Sequence, residues 1–384
     1  MTDSRSDEAV ETLPDVPATR DLTWITYGEF GKRFFEEAVT LERISDAVEG
    51  MAGKGIKIGP IGLGPGGLAG FVAEGSVGSP TISKRNGADV AFDLLVPASL
   101  SVILRLGQEI RIQVGIEVGL TLVARPAQPL RIVIDIPAID HTDVRLVIRA
   151  EALGAAWQWL LEPMGEVIRR EVATRINAMT SDPESVEGRI FDIAARINDT
   201  DENKKMPFKW MSFDEFGAAF YRTALTEQRI TDSVADLDGR PINIGPLKAG
   251  PKGIADVNAT GAVGKPLVSR RGGGEFVVLD VVIPVALDLV ISLRKENHYA
   301  ANIEIPLVLT AKAADYLLIV VDVPAPGVDD IRIDLKAKGL GASVLNMVGG
   351  IKGEIAAQVA SVVAEELADP GGRIVDVAQR IREA

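Results

Sequence analysis

The sequence predicts an α+β protein built from two tandem copies of one unit, each a long antiparallel sheet packed on long amphipathic helices. Three observations lead to this prediction: the chain matches itself at a fixed spacing, apolar residues alternate over long stretches, and other stretches carry helical apolar stripes. Alternation is typical of a half-buried strand, whereas a spacing of three and four residues is typical of a helix that buries one face.

The repeat can be read directly from the chain. A shift of 186 residues carries Glu29-Phe30-Gly31 onto Glu215-Phe216-Gly217, and the shift becomes 187 residues after a turn near Gly272–Gly274. Many matches in order, with changes of spacing at turns, indicate an internal duplication. We therefore predict an acidic disordered tail over residues 1–21, a first α+β repeat over 22–199, a linker over 200–206 and a second α+β repeat over 207–384.

Apolar stripes place the helices. The first helix is predicted over residues 26–51, a long closing helix over 152–179 and a short third helix over 183–197. In the second repeat Ser212 is followed three residues later by Glu215, which predicts a capping box at the start of the first helix.

Alternating apolar residues place the strands. Strict alternation over residues 109–122 predicts a strand far longer than the usual length of about 5–6 residues. Shorter alternating stretches precede and follow it, and the second repeat has the same series. Their short connections predict an antiparallel meander with one apolar and one wet face. The Gly- and Pro-rich segment 58–80 is predicted to form a bulged or edge strand.

Composition restricts the classes of function. The formal net charge of −13 repels phosphate backbones, so we expect no nucleic-acid partner. The chain has no cysteine, which excludes disulfides and thiolate metal sites. The N-terminal segment does not have the pattern of a signal peptide, and the apolar runs are too short for a membrane helix. We therefore expect a cytoplasmic protein.

The order of elements is helix, long antiparallel sheet, long closing helix, and then the same series again. This order resembles the tubular lipid-binding superfamily, which includes the bactericidal/permeability-increasing proteins and the synaptotagmin-like mitochondrial lipid-binding domains. The resemblance covers nearly the whole chain and rests on element order and strand length rather than on a signature motif. It implies that each sheet is curled around its helix and encloses an apolar tunnel.

Several motifs could carry chemistry, and each has a structural alternative. Residues 62–67 satisfy the G-x-G-x-x-G pattern, but Pro65 lies inside it and extended sequence follows, so a bulged turn is favoured over a phosphate loop. His141, beside two carboxylates, could act as a base or bind a metal. His298 lies in another predicted turn, and solvated turn histidines are favoured at both positions.

Charged and aromatic pairs give further candidates. Asp135 and Asp322 are equivalent strand residues that could supply paired carboxylates, with an ordinary strand-end position as the alternative. The basic pairs Lys84-Arg85 and Arg270-Arg271 are expected in equivalent hairpin turns, as solubilising charges rather than a clamp for an anionic headgroup. Trp157 and Trp159 occur in the first repeat alone, where they could line a ligand mouth or pack in the core or between the copies.

A long sheet with a continuous apolar face needs a cover, and the part that its helices leave uncovered forms an apolar groove or tunnel. We therefore predict that the protein binds a lipid or other long hydrophobic small molecule, with no cofactor and no metal. Transient contact with a membrane surface is also expected. The candidate ligand-binding residues come from the helices: Phe34, Leu41, Trp157, Leu160, Leu161, Phe220 and Tyr221.

Two other classes of function stay open at this point. An isomerase or cyclase could act on a hydrophobic, polyketide-like substrate in the same cavity, mainly through shape and a few polar groups. A structural or interaction protein would instead have solid cores and an exposed apolar patch. The sequence also leaves open the identity of the ligand, the oligomeric state, and whether one or both repeats bind.

Overall fold

The structure is a computed structural model in which two compact units are formed. The first unit comprises Tyr27–Phe220, and the second unit comprises Tyr221–Ala384 together with Met1–Thr26. The structure describes residues 22–63, 69–105, 109–149, 158–202, 204, 207–249, 255–292, 296–338, 345–369 and 371–383.

The described chain starts with strand β1 (Trp24–Ile25), which belongs to the second unit. The elements of the first unit follow in chain order: α1 (Tyr27–Ala38), α2 (Leu41–Glu49), β2 (Gly55–Leu63), β3 (Ala69–Val77), β4 (Thr81–Arg85), β5 (Val90–Arg105), β6 (Glu109–Ala127), β7 (Arg131–Asp135), β8 (Val144–Arg149), α3 (Gln158–Ser181), α4 (Pro183–Glu187), β9 (Ile190–Asp192) and α5 (Ile193–Asn198).

Helix α6 (Phe213–Ala224) contains the point at which the two units divide. The elements of the second unit follow it: α7 (Glu227–Ser233), β10 (Pro241–Ala249), β11 (Ala255–Val263), β12 (Leu267–Arg270), β13 (Val278–Ser292), β14 (Glu296–Ala314), β15 (Leu318–Asp322), β16 (Arg332–Ala337), α8 (Leu345–Glu366), β17 (Ile374–Asp376) and α9 (Val377–Glu383).

The sheet of the first unit is a curled antiparallel sheet of eight strands in the order β2-β3-β5-β6-β7-β9, with β4 beside β5 and β8 beside β6. Its centre is the pair β5 and β6, of 16 and 19 residues, in register from Val90 opposite Ala124 to Arg105 opposite Glu109. At about 3.3 Å per residue, β6 is roughly 60 Å long. The alternating apolar residues of both strands are buried, and α3 covers them with Met164 and Ile168, which are fully buried.

The sheet of the second unit repeats this plan with the order β10-β11-β13-β14-β15-β17, β12 beside β13, and β16 and β1 beside β14. The alternating residues of β13 and β14 form the core, joined from α8 by Ile355 and Ala356. The predicted α+β class, with curled antiparallel sheets packed on helices in two copies, is therefore confirmed.

The short segment that precedes the first helix of each repeat pairs with a long strand that is distant in the sequence. Trp24 in β1 lies opposite Ala314 of β14 in the second unit. Within the first unit, Trp210 forms an isolated antiparallel bridge with Ala127 at the end of β6. Equivalent backbone hydrogen bonds accompany the two pairings. The N–H of Asp315 donates to the carbonyl of Thr23 at 2.9 Å, and the N–H of Gln128 donates to the carbonyl of Lys209 at 2.8 Å.

Two predicted helices are wrong in their extent. The predicted helix over residues 26–51 is two helices, because Thr40 caps α2 by accepting a hydrogen bond from the backbone N–H of Arg43 at 3.3 Å. The predicted third helix over 183–197 is interrupted, because β9 pairs with β7 between α4 and α5. Of the closing helix, the structure describes α3 from Gln158 onward, and residues 152–157 lie outside the described residues.

Other local predictions are confirmed. Ser212 and Glu215 form the capping box, with the Glu215 N–H donating to Ser212 Oγ at 3.1 Å and the Ser212 N–H donating to Glu215 Oε2 at 2.7 Å. The Gly- and Pro-rich segment forms most of the β2–β3 hairpin, and β2 is bulged between Ile58 and Ile61 at the edge of the sheet. Among the described helices, none has both the length and the apolar character needed to cross a membrane.

Candidate functional site

A cavity of about 330 Å³ lies in the second unit between α8 and the β10–β11 hairpin. We call it the α8 cavity. Three apolar side chains, Leu247, Val257 and Ile355, form its floor. The remaining lining residues are Lys248, Glu354, Ala357 and Gln358.

Strand register explains the apolar floor. Leu247 of β10 lies directly opposite Val257 of β11, and Val257 lies opposite Ile291 of β13, so their side chains share the inner face of the sheet. A bulge in β10 between Ile244 and Leu247 restores this register after Pro246, since a bulge re-aims the side chains that follow it. From the helix, Ile355 is 6% exposed and faces the same core.

Polar groups surround this floor. Lys248 forms an ion pair with Asp256 across the hairpin, with 2.7 Å between Nζ and Oδ1, and both side chains are well exposed. Glu354 and Gln358 are four residues apart on α8 and therefore lie on one face of the helix. The cavity is thus apolar in its depth and polar at its rim, which suits an amphiphilic or apolar molecule.

The equivalent place in the first unit is filled. Phe71 of β3 occupies the repeat position of Val257, opposite Ile61 of β2 and Leu104 of β5 in the same register. Phe71 is 1% exposed and is among the largest fully buried side chains of the described chain. Ile168 of α3, at the repeat position of Ile355, is fully buried.

The predicted ligand-binding residues whose side chains are described are not among those that line the α8 cavity. Phe34 and Phe220 are buried in the first unit, with their ring centroids 5.2 Å apart. Tyr221 is fully buried and its hydroxyl donates to the carbonyl of Lys312 at 3.4 Å, whereas Leu41 at the start of α2 is 44% exposed. Trp157 lies outside the described residues, and so do the side chains of Leu160 and Leu161. Ligand binding by these residues stays a prediction.

The floor residues were missed by sequence reasoning. Leu247, Val257 and Ile355 are ordinary members of apolar patterns, and no motif distinguishes them. The signal that could have found them is a comparison of the two repeats. At one pair of equivalent positions the first repeat has the large residue Phe71 and the second repeat has the smaller residue Val257.

The two histidines occupy different surroundings. His141 begins a 3-10 turn between β7 and β8, as predicted, with Nδ1 2.7 Å from Asp140 Oδ1 and Nε2 3.5 Å from Glu166 Oε1. His298 lies within β14 opposite Val290, so its predicted position in a turn is wrong. The part of the chain that the structure describes contains no group of three or more side chains able to hold a metal ion.

The charged candidates form ion pairs. Asp135 pairs with Arg125 at 3.1 Å, and Asp322 pairs with Lys312 at 2.7 Å. Lys84 and Arg85 lie in strand β4 rather than in a turn, where Arg85 pairs with Asp93. Of the glycine-rich motif, residues 62 and 63 end β2, and residues 64–67 lie outside the described part of the chain.

Comparisons with known proteins give structural neighbours alone. No family model matches the chain, and no curated protein matches it. The crystal structure of lipopolysaccharide binding protein is similar over 85% of this chain and 87% of that chain, with 9% identity and a TM-score of 0.29. P47 from Clostridium botulinum A2 is similar over 88% and 87%, with 8% identity and a TM-score of 0.23. P47 of Clostridium botulinum E1 is similar over 86% of each chain, with 7% identity and a TM-score of 0.25.

Proposed function

We propose that this protein binds a lipid or other long hydrophobic small molecule in the α8 cavity. The observation that carries the proposal is a cavity of about 330 Å³ with a floor of Leu247, Val257 and Ile355. Small-molecule sites have volumes of about 300–1,000 Å³ and are mostly apolar with a few polar groups. An engineered apolar cavity of about 150 Å³ already binds benzene, so this one is large enough for an alkyl segment.

The energetic reason is the removal of apolar surface from water. Each Å² of apolar surface that a ligand and the floor bury together contributes about 25 cal/mol. The rim residues Lys248, Glu354 and Gln358 can meet a polar head or water, so an amphiphile leaves few buried polar groups unsatisfied.

The geometry supports binding better than catalysis. An isomerase or cyclase needs a group that moves a proton at the reacting atoms. The ionisable groups of the α8 cavity, Lys248 and Glu354, lie on exposed residues, and Lys248 is already paired with Asp256. Transient contact with a membrane surface and a cytoplasmic location are proposals that accompany the binding function.

Organic extraction of the purified full-length protein, followed by mass spectrometry, tests the proposal. We expect a hydrophobic small molecule to be recovered in a fixed ratio to protein. Protein purified without such a molecule is then titrated with cis-parinaric acid, a single-chain fatty acid that fluoresces in apolar surroundings. If nothing co-purifies and the titration shows no saturable binding, the proposed function is wrong.

A further inference from the structure

We propose that the two repeats have divided their roles. The second unit takes one single-chain hydrophobic ligand beneath α8, whereas the equivalent place in the described part of the first unit is filled by Phe71 and closed by contacts of α3. We therefore expect one ligand per chain. This inference rests on the proposed function and adds the stoichiometry, the size of the ligand and the side from which the ligand reaches the cavity.

The first argument is volume. Val257 and Phe71 have the same strand partners in their two sheets, so the aromatic ring of Phe71 occupies space that Val257 leaves empty. Protein interiors are close-packed, and a space lined by smaller side chains is a cavity unless neighbouring residues move into it. The α8 cavity is the result of this substitution between copies.

The second argument is a pair of hydrogen bonds that fixes α3 to the sheet rim. The Asn177 side chain accepts from the backbone N–H of Ile139 and donates to its carbonyl, both at 2.9 Å. The equivalent residues of the second unit are Ala364 and Pro326. Alanine has no amide group, and proline has no backbone N–H, so neither partner can make this contact.

The third argument is a contact between α3 and the edge strand. The guanidinium of Arg175 donates to the carbonyl of Lys57 in β2, and Glu171 orients it through a hydrogen bond of 2.7 Å. On α8 the equivalents of Arg175 and Glu171 are Val362, which is 51% exposed, and Gln358. A valine cannot reproduce this charge-assisted bond.

The fourth argument is a charged cluster near the start of α3. Glu166 lies 3.0 Å from Arg170 and 3.5 Å from His141, whose turn follows β7. Gly353 and Val328 occupy the equivalent positions of Glu166 and His141 in the second unit. We call the contacts of Asn177, Arg175 and Glu166 the α3 latches, and α8 has a different residue at each of these three positions.

The consequence is a difference in how the two helices are held. Among the described side chains of α8, Ile355 and Ala356 belong to the core through non-directional apolar contacts, and Glu366 forms an ion pair with Arg240 at 3.7 Å. That pair is exposed and worth little. Because α8 has Ala364, Val362 and Gly353 where α3 has its three latches, we expect separation of α8 from β10 to cost less than separation of α3 from β2, and the ligand to reach the cavity along this side.

The size of the cavity restricts the ligand class. A volume of about 330 Å³ is near the lower end of the range for small-molecule sites, which is about 300–1,000 Å³. This volume suits one alkyl or polyene chain better than the two chains of a phospholipid.

Titration of the full chain with cis-parinaric acid tests the division of roles. The wild type should bind one probe per chain, and Val257→Phe should lose at least ten-fold in affinity at that site. Leu267→Phe, a control that places the same ring at an exposed position of β12 outside the cavity lining, should keep the wild-type affinity. Ala357→Phe blocks the cavity from an exposed helix position, so it serves if Val257→Phe fails to fold. Two probes per wild-type chain, or half of the binding left in the blocked variants, would overturn the inference while leaving the binding function intact. If the wild type binds no probe, the proposed function itself fails.

Hydrogen exchange measured by mass spectrometry gives an independent test of the access side. In the probe-free protein, amides of α8 and β10 should exchange faster than those of α3 and β2, and the probe should protect the first pair alone. Equal protection of α3 and β2 by the probe would contradict the inference.

Discussion

The guanidinium carbon of Arg125 lies 4.1 Å from the centre of the Trp210 ring. The same guanidinium donates to Asp135 at 3.1 Å. In the second unit, Lys312 repeats both contacts, with its Nζ 5.2 Å from the Trp24 ring and 2.7 Å from Asp322. Each Trp thus covers the cation that neutralises a strand-end carboxylate, so Asp135 and Asp322 have equivalent structural partners in the two repeats.

Replacement of Trp210 should weaken the first unit. The Trp210→Ala variant loses a cation–π contact worth about 0.5–1 kcal/mol at an exposed site, and it also loses the ring contact with Phe208. We expect a loss of about 1–2 kcal/mol in the free energy of unfolding, measured by urea denaturation. Trp210→Phe, which keeps an aromatic ring, should lose less. Equal midpoints for Trp210→Ala and the wild type would contradict this assignment.

Two helical glycines should respond in opposite directions to alanine. A Cβ on Gly217 of α6 would overlap the backbone carbonyl of Tyr27, so Gly217→Ala forces the backbones apart. Overpacking of this kind costs about 1–3 kcal/mol. A Cβ on Gly353 of α8 meets nothing within 4 Å, and Gly353→Ala should gain about 0.5–1 kcal/mol from helix propensity. Thermal unfolding of both variants checks the sign, and destabilisation by Gly353→Ala would count against the open position of this residue.

Loss of Asp192 from the buried Arg131–Asp192 pair should destabilise the protein more than loss of Arg131. Their Nε and Oδ2 atoms are 4.0 Å apart, and Asp192 also caps α5 by accepting from the Ala195 N–H at 3.1 Å. In the second unit Leu318 faces Asp376 in the same register, and Asp376 accepts from the N–H of Gln379 at 2.8 Å.

We therefore expect Asp192→Ala to cost about 3–5 kcal/mol, because it leaves a buried guanidinium without its carboxylate. Arg131→Leu should cost less, since it reproduces the Leu318–Asp376 arrangement. Urea denaturation of the two variants provides the comparison, and equal losses would contradict the prediction.

The Glu166 latch should be sensitive to acid. Burial acts to raise the pKa of Glu166, but the hydrogen bond from Arg169 and the charges of His141 and Arg170 outweigh it and hold that pKa below 4.5. A carboxyl with a lowered pKa in the folded state stabilises the protein above its unfolded pKa, and the contribution is lost as the pH falls through the folded pKa.

The stability difference between the wild type and Glu166→Gln should therefore be present at about pH 5 and should vanish in stronger acid. Urea denaturation over this range provides the measurement. Glu166→Gln should also speed amide exchange in α3 at neutral pH. A difference that grows as the pH falls below about 5 would contradict the direction of the shift.

Much of the fold could be predicted because its strands are long enough for alternation to be unmistakable. Strand β6 buries every second residue from Ile112 to Leu122, which is what the sequence pattern requires. The predicted helix boundaries are less accurate, since Thr40 caps α2 inside a continuous apolar stripe and the stripe alone cannot reveal the cap. Strand β9 has three residues and exists because β7 pairs with it, a tertiary cause that no local pattern contains.

The candidate site could not be predicted for a related reason. Whether Val257 leaves a cavity depends on Leu247 and Ile355, which are distant in the sequence and meet only through the strand register and the helix cover. Large aromatic residues such as Phe34 and Phe220 were predicted to bind the ligand. In the structure they pack on each other, with their ring centroids 5.2 Å apart. A ligand site is defined by the volume that the packed side chains leave unoccupied, and the amino-acid composition does not predict that volume.

Pairing of β1 with β14 affects the order in which the molecule can be completed. Trp24 is synthesised nearly three hundred residues before its strand partner Ala314. The first unit can assemble around its own long hairpin while translation continues, but the Trp24 segment has to wait, unpaired, near an already formed helix α1. The β1–β14 pair is therefore a long-range closure, and slower translation of the residues that lead to β14 would prolong the time that the Trp24 segment waits for its strand partner.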